Sequence, residues 1–166
     1  AVGAASRQEN HRLVDFCQRA GLLSESLEPE YAADNGPLAI TLGKVLGRNG
    51  RHEETTRLLD AVRTGAEARG DRELDLRVEL EQVILLRSTG ATSQVDQDRV
   101  RELAGLLGRS TYGAYAHHLL GNIAKQCGDL QAAAESFQKA RELFGEAGSD
   151  VGEIIALDRL GSVALR

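Results

Sequence analysis

Three sets of glycines keep phase along this chain. Leu42-Gly43 returns as Leu120-Gly121 and again as Leu160-Gly161, in steps of 78 and 40 residues. Gly50, Gly90 and Gly128 step by 40 and 38. Gly70-Asp71 and Gly148-Ser149-Asp150 each begin 27 residues after Gly43 and Gly121. The period is therefore about 38 to 40 residues, and 78 is two of them. A fixed period of that length is the mark of stacked supersecondary units that bury their apolar faces only against each other.

Each unit reads as two helices. In the clearest, Tyr115 to Gln126 carries Leu119, Leu120, Ile123 and Ala124 on one stripe. Gly128-Asp129 is the turn. Leu130 to Glu146 then places Leu130, Ala133, Ala134, Phe137, Ala140, Leu143 and Phe144 at helical spacing. Gly148-Ser149-Asp150 ends this helix and caps the next, because glycine tolerates the left-handed C-cap and Ser or Asp accepts from free amides. Gly121 falls inside the first helix, where glycine costs about 1 kcal/mol against alanine. That cost is sensible where a second helix crosses closely, with Ala133 and Ala140 small on the facing side and Phe137 filling the gap.

Composition agrees with an all-helical chain. Only two prolines occur, Pro29 and Pro37, and 42% of residues are hydrophobic but only 4% aromatic, so the core is mostly Leu, Ala, Val and Ile. The net charge of −5 argues against a direct nucleic-acid binder, which needs a basic face to displace counterions. No apolar run approaches a membrane span and no leader peptide is visible. Cys17 and Cys127 stand far apart and read as small buried thiols of a reducing, cytoplasmic compartment. Arg far outnumbers Lys, and with abundant Ala and Gly this suggests an actinobacterial source.

Leu120, Gly121, Ala124, Gly128, Ala133, Phe137 and Ala140 together resemble the tetratricopeptide repeat. The longer unit is similar to that of kinesin light chain and of bacterial regulators with repeat arrays. His117 stands where the family has an aromatic, and Gly145 where it has proline. The resemblance implies an all-α chain: a right-handed α-solenoid of stacked antiparallel helix hairpins, with about eight helices. One repeat domain is expected over 1–166. Its parts are an irregular opening hairpin at 6–34, a repeat at 36–70, a degenerate repeat at 72–108, the best repeat at 112–147, and the first helix of an incomplete repeat at 150–166. In the degenerate repeat Val83 replaces the helix glycine, and residues 89 to 98 form an elongated turn. The last helix leaves Ile154, Leu157, Leu160 and Val163 without cover, which implies a longer natural chain or homo-association along that edge.

The residues offer little for catalysis. His117 and His118 are adjacent, so on a helix they point about 100 degrees apart. His52-Glu53-Glu54 opens a helix without a second His four residues on, so it is not the zinc-protease motif. The stretch RGDRELDLRVELEQ reads as a solvated, mixed-sign helix face with i,i+4 pairs. No enzyme activity, cofactor or metal is expected. The resemblance implies instead a concave groove lined by the first helix of each unit. Carried onto this chain, the lining residues are Lys44 and Arg48, Arg77 and Arg87, then Tyr115, His118, Asn122, Lys125 and Gln126, and last Asp158, Ser162 and Arg166. This groove is net basic in an acidic protein. It suits an acidic peptide or a peptide carboxylate, with Asn122 holding a backbone amide and Lys125 a carboxylate. The expected role is a protein-interaction scaffold within a larger regulator. The alternative is the small-ligand-sensing domain of a transcriptional activator.

Overall fold

The computed structural model describes residues 29–89 and 97–165. These form eight helices and no strand. They are α1 (Pro29–Asp34), α2 (Gly36–Arg48), α3 (His52–Arg69), α4 (Arg72–Ser88), α5 (Gln97–Leu107), α6 (Thr111–Gln126), α7 (Leu130–Glu146) and α8 (Asp150–Ala164). The chain divides into two compact units, 1–90 and 91–166; the elongated turn expected at 89 to 98 lies mostly outside the described residues. The opening hairpin lies outside the described residues except for α1, as do Cys17, Gly90 and Arg166.

The turns are built by local chemistry. Gly70 at φ 66°, Gly128 at φ 81° and Gly148 at φ 67° each end a helix in the left-handed region. The next residue sends its amide back to close the last turn: Asp71 to Ala66 O at 2.9 Å, Asp129 to Ala124 O at 3.0 Å and Ser149 to Phe144 O at 2.9 Å. The same three side chains then cap the following helix. Asp71 accepts from the Leu74 amide at 3.1 Å, Asp129 from Ala132 at 3.0 Å and Ser149 from Gly152 at 3.3 Å. One short turn thus stops one helix and starts the next.

In the first unit α2 and α3 run antiparallel, since Gly43 faces Leu59 while Gly47 faces Thr55. α3 and α4 are antiparallel too, and α1 packs on α3, where the Pro29 carbonyl would lie 2.1 Å from a Cβ at Gly65. α2 and α4 run parallel. Gly36 faces Leu74, Lys44 reaches Glu81 and Gly47 faces Leu85, steps of 38, 37 and 38 residues. Ile40, Leu46, Leu59, Val62 and Val78 are fully buried in this core.

The second unit repeats the scheme. α5 packs on α6. α6 and α7 are antiparallel, with Tyr115 on Phe144 and Gly121 against Phe137. α7 and α8 are antiparallel, with Phe144 against Gly152 and Arg141 on Glu153. Lys125 on α6 reaches Ser162 on α8, again a step of 37 residues. α6 begins at Thr111 rather than Tyr115, because Ser110 supplies the cap, accepting from the Gly113 amide at 3.1 Å.

Gly121 faces Phe137 as its cost demands. A Cβ there would stand 2.6 Å from two ring carbons of a side chain that is itself fully buried. The other two Leu-Gly pairs differ. A Cβ at Gly43 would make ordinary contact, 3.5 Å from Leu59, and one at Gly161 would meet nothing within 4 Å.

Candidate functional site

The sequence-predicted groove residues divide between the units. On the first, Lys44 lies between α2 and α4, where its Nζ is 2.8 Å from Glu81 Oε1. Glu81 is buried, and loss of water pushes its carboxyl above the usual range. The Lys44 charge, the Lys44 hydrogen bond and the Arg48 charge oppose that rise. Arg48 is exposed at the end of α2. Arg77 is engaged by Glu73 one turn back on α4, and Arg87 is half-buried in the last turn of the same helix. The carboxylates of Glu73 and Glu81 therefore offset much of the expected positive charge.

The mixed-sign stretch is not wholly solvated. Asp75 is buried as well as Glu81. Asp75 takes Arg72 at 2.7 Å and Arg63 of α3 at 3.3 Å, while Gln82 donates to Asp60 at 2.8 Å and accepts from Arg63 at 3.4 Å. The α3–α4 seam is a polar network. Its cross-helix partners are 12 to 22 residues apart, so the local sequence gives no sign of those pairings.

On the second unit the candidates are more tightly placed. Tyr115 lies edge-on to Phe144, with ring centres 5.0 Å apart, and so belongs to the α6–α7 seam. The His118 ring tilts against Phe137 at 5.5 Å. Asn122 donates to the His118 carbonyl at 3.1 Å, with its amide nitrogen 3.3 Å from the His118 Nδ1. Lys125 donates to the Ser162 hydroxyl at 2.7 Å, and Ser162 in turn donates to the Arg159 carbonyl at 2.6 Å. Gln126 and Asp158 are exposed. His118, Asn122 and Lys125 share one stripe of α6, with His118 against Phe137 of α7 and Lys125 reaching Ser162 of α8. His117 is half-buried, and its pKa is lowered by desolvation and then by the Lys139 charge.

Cys127 is exposed, not buried: it sits at the C-cap of α6, in the turn rather than on the apolar stripe. Val163 is buried and Leu160 partly covered by the α6–α7 core, whereas Ile154 and Leu157 are exposed. Among the described residues no group of three or more His, Cys, Asp or Glu could hold a metal ion, and no helix is long and apolar enough to cross a membrane.

No family model, curated protein or solved structure matches the chain.

Proposed function

We propose that this chain is a non-catalytic protein-interaction module, a right-handed α-solenoid of the tetratricopeptide kind within a larger regulatory protein. The observation that carries this reading is the register between parallel helices. α2 meets α4, and α6 meets α8, at steps of 37 or 38 residues, close to the glycine period. Helices that follow one another at the repeat length present successive rows of side chains to one side, and such rows suit an extended segment of a partner.

The partner is an acidic peptide or a peptide carboxylate. On the second unit Lys125 is the cation placed for it, whereas on the first unit Lys44 and Arg77 already serve carboxylates. Asn122, beside Lys125 on the same face, supplies an amide for a peptide backbone.

Affinity capture from lysate with the full chain tests this, with Lys125→Glu as the control. A protein retained by the native chain and lost with the reversal supports the groove. Retention of the same proteins by both chains would overturn it.

A further inference from the structure

In the first unit a charge pair of the chain's own closes the seam between two parallel helices. Lys44 of α2 meets Glu81 of α4 at 2.8 Å, 37 residues on, and Glu81 is only 6% exposed. The second unit has the same seam between α6 and α8, where Lys125 meets Ser162 at 2.7 Å, again 37 residues on. Shifted by 78 residues, Lys44 becomes Asn122 and Glu81 becomes Arg159, and these two also stand 37 residues apart.

At this register the second unit has a guanidinium in place of the carboxylate and an amide in place of the ammonium. Arg159 stands in the inward row of α8. Ala156, three before it, and Val163, four after it, are both buried, as is Val78, three before Glu81. Arg159 itself is exposed, and no carboxylate among the described residues pairs with it. Its carbonyl accepts from the Ser162 hydroxyl at 2.6 Å, and that hydroxyl accepts from Lys125. The seam therefore brings two cations and an amide together without an anion of its own.

We propose that Arg159 is a specificity-determining residue of the second unit's groove, taking a carboxylate side chain of the bound segment where the first unit supplies Glu81. This role presupposes the acidic peptide proposed above and fixes the spacing of its acids. A guanidinium gives a carboxylate two parallel N–H donors, a stronger and more directional contact than a neutral pair makes. Positions 159 and 162 are three residues apart on α8, about 4.5 Å along its axis, and Lys125 reaches the second of them. An extended peptide rises about 3.3 Å per residue, and its alternate side chains point the same way. Two acidic residues separated by one other thus set one carboxylate on Arg159 and the next on Lys125. The first unit needs no such ligand at this register, because Glu81 already serves Lys44.

The probe is the fluorescently labelled peptide Gly-Glu-Gly-Glu-Gly, titrated by anisotropy into the full chain at low salt. Binding should saturate, and exchanging either glutamate for glutamine should weaken it roughly tenfold. Arg159→Ala should also weaken it roughly tenfold. In that variant one of the two glutamine peptides should bind as well as the parent, because the carboxylate it lacks has no partner left. Circular dichroism should be unchanged, since Arg159 is exposed. Asn122→Lys together with Arg159→Glu, which copies the first unit's pair, should keep the fold and abolish binding. Undiminished binding of the parent peptide by Arg159→Ala would overturn the proposal, as would full weakening by both glutamine peptides in that variant. If Lys125→Glu abolishes binding in either of those cases, the acidic-peptide groove stands without Arg159. Absence of saturable binding to the native chain would remove both.

Discussion

Shifted by 78 residues, α2, α3 and α4 fall on α6, α7 and α8 element for element, yet the two sets fill their cores differently. In the first unit Leu74 of α4 packs on Gly36, and Ala66 is small. At the corresponding places of the second unit Gly152 is small and Phe144 packs on it. Leu59 and Thr55 lie opposite Gly43, while Phe137 and Ala133 occupy those places opposite Gly121. Large and small exchange sides while the backbone frame is kept, as expected when total volume rather than identity is conserved. One polar contact does recur: Arg63 with Asp75 at 3.3 Å and Arg141 with Glu153 at 3.5 Å. The units differ most in charge. The first buries Asp75 and Glu81, and the second buries rings.

The contrast gives sharp expectations. The largest effect is in the second unit. Phe137→Ala removes the ring from Gly121 and His118 and should cost about 3–5 kcal/mol in denaturant unfolding. Hydrogen exchange should then rise in α6 to α8 and leave α2 to α4 protected. Gly121→Leu should overpack the same seam and cost about 1–3 kcal/mol. A neutral result would mean that the helices do not cross there.

A smaller effect separates the units by pH. Glu81 has a raised carboxyl pKa in the fold, so its contribution is fully present below about 4.5 and is lost as pH rises through the folded value. His117 is lowered in the fold, so its contribution is present above about 6.5 and is lost as pH falls through the folded value. Acidification from neutrality should therefore favour the first unit through Glu81 and weaken the second through His117. Glu81→Gln and His117→Asn should each flatten the pH profile of exchange in their own unit. A profile unchanged by both would remove this distinction.

The helices and their ends were legible because their causes are local. Gly70-Asp71, Gly128-Asp129 and Gly148-Ser149 carry their stop and start signals within a few residues. The pairing of Gly121 with Phe137 was legible because a glycine inside a helix asks for a close neighbour and the repeat supplies one. The burial of Asp75 and Glu81 was not, because each depends on a cation from another helix: Arg63 of α3 and Lys44 of α2. Cys127 looked like a core residue by type, but its position in the turn decides its exposure. The close approach of Phe144 to Gly152 went unread because Gly152 lies at the start of a helix, where glycine needs no special reason. Among the site residues, the step from Lys125 to Ser162 follows from the period, whereas the ring contacts of Tyr115 and His118 depend on packing against α7.

One sequence feature, the Leu-Gly pair, has three structural settings, and alanine substitution reads them directly. Denaturant unfolding of Gly43→Ala, Gly121→Ala and Gly161→Ala in the full chain is the measurement that matters most. Gly43→Ala and Gly161→Ala should hold or gain stability, by up to about 1 kcal/mol, because the new methyl meets ordinary contact or open space. Gly121→Ala should lose stability, because its methyl would meet the buried Phe137 ring at 2.6 Å. If all three shift in the same direction, the repeated glycine has one role throughout, and the division of the molecule into two differently filled frames is wrong.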